Sequence, residues 1–233
     1  MNLSELEIFL DKELLNNTDE NRQNILLDLK INKLELLINH IINNESELLK
    51  IAKQSYQHSN GFDKILLIDK RPKYALRLHL WNPKNKCDGH IHNHEWDLSG
   101  MVIKGSYKWE LYEFEDDISN KGFYCYECIY NSNYKEHILT NEKRVNIKKI
   151  FDINISENSF YNLKSSTIHK ITMTDKFSAS LILHGNNIEQ KIVVINKEEI
   201  QEHINKSYRY YSKKEMRYLL EQFLILLEKK NEN

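Results

Sequence analysis

The stretch Gly89-His90-Ile91-His92-Asn93-His94-Glu95-Trp96-Asp97 decides how this chain is read. In an extended strand, side chains at i, i+2 and i+4 share a face, so His90, His92 and His94 are expected to point the same way. Three imidazoles on an inward face are costly to bury unless something uses their nitrogen lone pairs. Imidazole suits iron, zinc, copper and nickel, and two histidines one residue apart can close a chelate without distorting a strand. A polar surface strand or a His-rich loop would explain a single histidine. It does not explain the alternation, nor the later Thr167-Ile168-His169.

Outward from this stretch the sequence reads as β structure. Short runs rich in Ile, Val, Tyr and Phe recur near 64–69, 74–81, 90–96, 98–104, 107–114, 123–130, 145–150, 160–163, 168–173, 179–184 and 191–195, with turn residues between them. Many short strands without intervening helices predict a sandwich or closed barrel. Before this region the grammar is helical. Ser4 and Glu7 have capping-box spacing ahead of Leu6, Phe9, Leu10 and Leu14. Thr18 and Asp19 precede a longer periodic stretch with Ile25, Leu26, Leu29, Leu37, Ile38, Ile41 and Ile42, and a third short helix is expected from Ser46. After it, Ser212 and Glu215 form another capping box ahead of the stripe Met216, Leu219, Leu220, Phe223, Leu224 and Leu227. The expected division is 1–61 helical extension, 62–195 β-barrel and 196–233 C-terminal helical segment.

Composition bounds the class. The 233 residues carry 33 basic and 34 acidic side chains, a formal net charge of -1, which argues against a dedicated nucleic-acid binder. Cys87, Cys125 and Cys128 are too few and too irregular for a disulfide framework, and Cys125 and Cys128 would face opposite sides of a strand, so they read as structural. The start is acidic without an apolar run, and no stretch approaches membrane-spanning length. The expectation is a cytoplasmic protein without nucleic-acid or membrane partners, monomeric or homodimeric. The two prolines, Pro72 and Pro83, mark turns.

From Lys73-Tyr74-Ala75-Leu76-Arg77-Leu78-His79-Leu80-Trp81 to Gly105, the chain resembles the cupin core of cysteine dioxygenase and related thiol dioxygenases. There a strand ending in Trp leads into Ile-His-x-His and a Gly about a dozen residues later, here Trp81, Ile91-His92-Asn93-His94 and Gly105. The family's second motif is similar to Phe160-Tyr161 and Ile168-His169-Lys170-Ile171. The likeness spans roughly residues 62–185. The chain is also similar to a broader set of bacterial cupins with a His-x-His-x-Trp-Asp core, here His92 to Asp97. Departures matter. The family's Cys after the second His falls at Leu98-Ser99, so no Cys–Tyr cross-link is expected. Its Ser-x-His-x-Tyr triad falls on Ser180, Ile182 and His184, and its carboxylate-binding Arg falls near Lys64.

The resemblance implies a cupin β-barrel holding a metal through His92, His94 and His169, with Fe(II) expected and zinc, nickel or manganese as other divalent ions. A His90–His92–Asp97 set, mimicking His-x-His-x4-Glu, is the competing choice. With His92 and His94 as ligands, His90 and Asp97 become groups that support them, Asp97 by orienting a ligand imidazole. Tyr161 and His184 are expected beside the metal as catalytic groups, though a buried Tyr with a satisfied hydroxyl is the plainer account. Trp96 reads as core. Arg77 and His79 alternate with Leu76, Leu78 and Leu80. Either the leucines face the helices and Arg77 and His79 meet substrate, or the leucines fill the barrel and Arg77 is exposed or salt-bridged; Lys64, at the place of the family's Arg, is expected to bind an anion.

Three neutral imidazoles leave a divalent ion its full charge and open positions, which favours an anionic ligand beside oxygen. The expected activity is mononuclear, non-haem Fe(II)-dependent dioxygenation of a small anionic metabolite, a thiol being the leading possibility. A non-oxidative metallocupin (isomerase or lyase) and a ligand-binding cupin without catalysis are the alternatives.

Overall fold

A computed structural model of the chain describes residues 1–82, 89–116, 122–131, 136–173, 177–188, 191–200 and 208–228. Pro83 and Cys87, singled out above, lie outside the described residues.

Helices come first. They are α1 (Leu3–Glu13), α2 (Asp19–Asp28), α3 (Leu34–Asn43) and α4 (Glu45–Gln54). The cap of α1 is Asn2, not Ser4. Its Oδ1 accepts from Glu5 N–H at 2.8 Å while Glu5 Oε2 accepts from Asn2 N–H at 2.9 Å. Asn matches Ser as an N-cap, so the box sits two residues earlier than the Ser4–Glu7 spacing suggests. The periodic stretch after Thr18 is also broken, by a π-helical turn at Leu29–Lys33. One extra residue per turn rotates the apolar face, so Leu34, Leu37, Ile38 and Ile41 are buried like Leu26 and Leu29 before them. The helix α5 (Lys213–Glu228) starts where expected, with Ser212 N–H to Glu215 Oε2 at 2.8 Å and Glu215 N–H to Ser212 Oγ at 3.2 Å. Among the described residues, no helix is long and apolar enough to cross a membrane.

Two antiparallel sheets follow. The first has the order β1–β2–β3–β11–β5–β9, built from β1 (Tyr56–Gln57), β2 (Phe62–Lys70), β3 (Tyr74–Trp81), β5 (Trp96–Lys104), β9 (Phe160–Leu163) and β11 (Ser178–Asn187). The second contains β4 (Ile91–His92), β6 (Ser106–Glu115), β7 (Phe123–Asn131), β8 (Glu136–Ser156), β10 (Ile168–Met173) and β12 (Ile192–Asn196). Its pairings run β10–β4–β12–β7–β8–β6 and return to β10, the β4–β10 link being the single pair His92–His169. The arrangement is thus two sheets with helices at the ends.

Alternation along β3 settles which way its side chains point. Leu76, Leu78 and Leu80 join Ile65, Leu67, Leu181 and Leu183 in one core with Leu6, Leu37, Ile38, Ile51, Leu220 and Phe223 of the helices. Each such fully buried aliphatic or aromatic side chain stabilises by about 1.5–3 kcal/mol, so the helices are held on the outer face of the first sheet. The inner face, carrying Arg77 and His79, turns toward the second sheet. Arg22 of α2 pins this layer, donating from Nε to Ser99 Oγ on β5 at 3.0 Å.

Candidate metal centre and pocket

The His-x-His segment is a shorter strand than alternation predicts. Only Ile91 and His92 pair as β4, with partners on β12 and β10. The cause is Asn93. Its buried side chain takes the place of a strand neighbour on β12, Nδ2 donating to Lys191 O at 3.1 Å and Oδ1 accepting from Val193 N–H at 2.7 Å. The backbone then leaves the ladder, and His94 N–H donates to Ser165 O at 3.1 Å. His92 sits directly across from His169.

These three rings converge. One potential ligand atom from each of His92, His94 and His169 lies within 4.8 Å of the other two. The ring centroids are 4.9 Å (His92–His94), 4.6 Å (His92–His169) and 5.0 Å (His94–His169) apart. The cluster could hold a metal ion, for which nitrogens roughly 3–3.5 Å apart are needed in a tetrahedral site. The tautomer suits it. His92 Nδ1 is 2.9 Å from His90 O, and a carbonyl only accepts, so Nδ1 carries the hydrogen and Nε2 keeps its lone pair. His169 repeats the pattern with Nδ1 3.3 Å from Thr167 O. Burial lowers the pKa of His92 to about 4 and pulls His94 and His169 well below the usual imidazole range, with His92 further disfavouring charge on both and His169 on His94. All three are neutral at pH 7.

Of the two expected supporting groups, His90 meets a ligand imidazole and Asp97 does not. His90 contributes its carbonyl, and its own N–H is held by Asn60 Oδ1 at 3.3 Å. Asp97 touches no ligand imidazole. Its oxygens accept from Ser165 N–H and Lys164 Nζ, both at 2.8 Å. Burial opposes its charge, but these two donors outweigh it and hold the carboxyl below its ordinary range. Asp97 therefore braces the 164–167 turn, whose Ser165 and Thr167 carbonyls in turn hold His94 and His169.

A cavity of about 210 Å³ opens in front of the cluster. Its opposite wall is the inner face of the first sheet. Lys64, Arg77, His79 and His184, each expected to meet substrate or take part in the chemistry, all line it. Arg77 is 5% exposed and His184 2%. Burial pulls Arg77 down to about 10 and Lys64 well below its usual value, the latter also repelled by Arg77. Trp96 is pocket wall and not core, with its ring 4.8 Å from His184 and 5.7 Å from the Arg77 guanidinium carbon. Cys128 lines the cavity as well, while Cys125 packs on the far side of β7 against Ile91 and Ile195.

Tyr161 lies in the pocket with its hydroxyl 3.0 Å from that of Tyr107. It fits there because residue 100 is glycine: a Cβ at Gly100 would lie 2.1 Å from Tyr161 Cζ. Burial raises the Tyr161 phenol to about 12, so it is a neutral hydrogen-bonding group. Sequence reasoning missed Asn93, Gly100 and Trp109 as parts of this site. The signal for the first two was position alone, one between the histidines and the other directly across from Tyr161 on β9.

No protein-family model matches the sequence, and no curated protein is similar to it. Among solved structures the chain is similar to hydroxypropylphosphonic acid epoxidase from S. wedmorenis, at 11% identity over 56% of this chain and 53% of that one, TM-score 0.33. It is similar to a hydroquinone 1,2-dioxygenase, at 11% identity over 60% of this chain and 71% of that one, TM-score 0.36. A cupin-2 domain protein from Shewanella frigidimarina gives 12% identity over 53% and 79%, TM-score 0.27. The chain thus spans about half the length of the epoxidase it matches. Likenesses this slight carry none of the argument.

Proposed function

We propose that the protein is a metal-dependent oxygenase of the cupin type, in which His92, His94 and His169 hold a divalent ion, Fe(II) before zinc, nickel or manganese. The substrate on this reading is a small anionic metabolite, with a thiol bearing an amine or carboxylate as the leading case, and oxygen is the second reactant. The observation that supports it is the convergence of three imidazoles from two segments of the chain, two with Nδ1 tied to a carbonyl. Such a set suits a mid-row transition metal. It brings no negative charge of its own, so an anionic ligand is favoured beside the ion.

A bound ion supplies Lewis-acid and one-electron chemistry that no side chain in the pocket possesses. The chain does the rest. Arg77 and Lys64 hold and orient the anion from the opposite wall. The neutral Tyr161 hydroxyl, steadied by Tyr107, donates or accepts a hydrogen bond at the substrate. His184 is neutral and its ring can hydrogen-bond the substrate from the same wall. Leu98, Leu163, Ile182 and Trp109 make the remaining wall apolar and exclude water.

The test is metal analysis of the purified protein, then oxygen uptake by the iron-loaded form against a panel of small thiols and other anions. Iron content with oxygen consumption that needs no 2-oxoglutarate is the expected result. Strict 2-oxoglutarate dependence would count against it. Zinc or nickel with anaerobic turnover would replace it by an isomerase or lyase.

A further inference from the structure

The wall opposite the histidines holds more positive and hydrogen-bond-donating capacity than its own surroundings use. Lys64 on β2 pairs directly with His79 on β3, and Arg77 lies two residues from His79, so all three share the inner face. Ile182 on β11 pairs with Arg77, and His184, two residues on, extends the same face. Among the described residues no hydrogen bond or ion pair neutralises Lys64 or Arg77. Arg77 Nε, His79 Nε2, His184 Nδ1 and Trp96 Nε1 are buried without a hydrogen-bond partner. The carboxylates of Asp69 and Glu95 act on Arg77 only through space, and Arg71 claims Asp69 at 2.6 and 2.7 Å. Arg77 Nε and Trp96 Nε1 are donors and each histidine nitrogen donates in the matching tautomer; leaving buried donors unmade costs stability, and an unpaired buried cation costs more. Water can satisfy the N–H groups and Lys64 can shed its proton, whereas an anion lying between Lys64 and Arg77 would favour the charged form of both.

We propose that this wall is a seat for a doubly charged tetrahedral oxyanion, the phosphate or phosphonate end of a small ligand, held by Arg77 and Lys64 with hydrogen bonds from His79 and His184. A carboxylate brings one charge and two oxygens, leaving one cation unbalanced. A tetrahedral dianion brings two charges and at least three acceptor oxygens, which matches two cations and the neighbouring donors. The ligand's other end then faces the histidine cluster across the cavity. The seat rests on reading this cavity as the ligand site, as proposed above, but does not require a metal.

The experiment is calorimetric titration of the metal-free protein with sulfate, with inorganic phosphate and with acetate. Sulfate and phosphate should each bind saturably at one site, and acetate at least about ten-fold more weakly. Arg77→Met and Lys64→Met should each weaken sulfate about ten-fold or more, with unchanged circular dichroism. No saturable sulfate or phosphate binding, or acetate binding as well as either, overturns the proposal. So does binding indifferent to both substitutions. The comparison of the three anions uses only the wild-type chain and so stands even where a variant fails to fold. Failure of metal uptake would count against the metal reading while leaving these titrations untouched.

Discussion

Asn93 does for the histidine pair what a strand ladder would do elsewhere. Its amide bonds to Lys191 O and Val193 N–H, fixing the backbone between His92 and His94 against β12. Asn93→Leu should therefore destabilise by about 1–3 kcal/mol, read as a lower urea midpoint. It should also weaken metal binding about 10–100-fold, as loss of a group that orients ligands does elsewhere. Unchanged metal affinity would mean that Asn93 serves only the fold. The histidines make a sharper contrast. Ala at His92, His94 or His169 should each sharply reduce metal content, whereas His90→Ala should largely keep it, because residue 90 acts through a carbonyl that alanine retains. Equal loss in all four variants would contradict this assignment. The residue types were legible from the sequence here. Their geometry was less so: the expected strand carrying His90, His92 and His94 in register stops at His92, and the Asn93 side chain and N–H hold the chain to β12 beyond it.

At the level of elements, β5 and β9 meet where Gly100 faces Tyr161. Gly100→Ala would put a methyl 2.1 Å from Tyr161 Cζ, so the ring must leave its place and give up the 3.0 Å bond to Tyr107. The expected cost is about 1–3 kcal/mol of stability, as for overpacking generally, measurable by denaturant unfolding. A neutral substitution would show that the ring moves without consequence. Elements whose pattern is local were readable in advance, such as α5 with its Ser212–Glu215 box. Others were not. The strand β8 runs over 21 residues, pairing with β7 through its first half and β6 through its second. The sequence suggested only 145–150, because Asn141, Glu142, Lys143 and Arg144 look unlike strand residues. Lys143 and Arg144 pair with Cys125 and Tyr124 of β7, and Asn141 and Glu142 fall at the bulge between Cys125 and Glu127, so pairing on β7 overrides a weak intrinsic preference. The π-turn after α2 was likewise invisible, since periodicity alone does not register one inserted residue.

Over the whole molecule, the inward-facing imidazoles set the response to acid. His79, His92, His94, His169 and His184 all have pKa values lowered first of all by burial. The unfolded chain takes up protons at these sites below about pH 6.5 while the folded chain does not. Stability therefore falls as pH falls, at about 1.4 kcal/mol per pH unit for each imidazole still neutral in the fold. It stops falling through His92 near pH 4, where that ring protonates in the folded chain. The urea midpoint of metal-free protein should drop steeply between about pH 6.5 and 5. A flat profile there would mean that the pocket is wetter than its burial implies. The overall layout, helices then β structure then helix, was legible from apolar periodicity. Which face of the first sheet carries the site was not, since alternation in 76–81 admits both orientations until the helices are seen to claim the leucines.

The convergence of His92, His94 and His169 on one ion is the claim on which the functional reading turns. X-ray absorption on protein loaded with one equivalent of zinc, used as a spectroscopically silent stand-in, tests it most directly. The account predicts three imidazole nitrogens at about 2.0–2.1 Å with their outer-ring scattering and no sulfur. A sulfur scatterer at about 2.3 Å, which would implicate Cys128 in the same cavity, or fewer than two imidazoles, would contradict it.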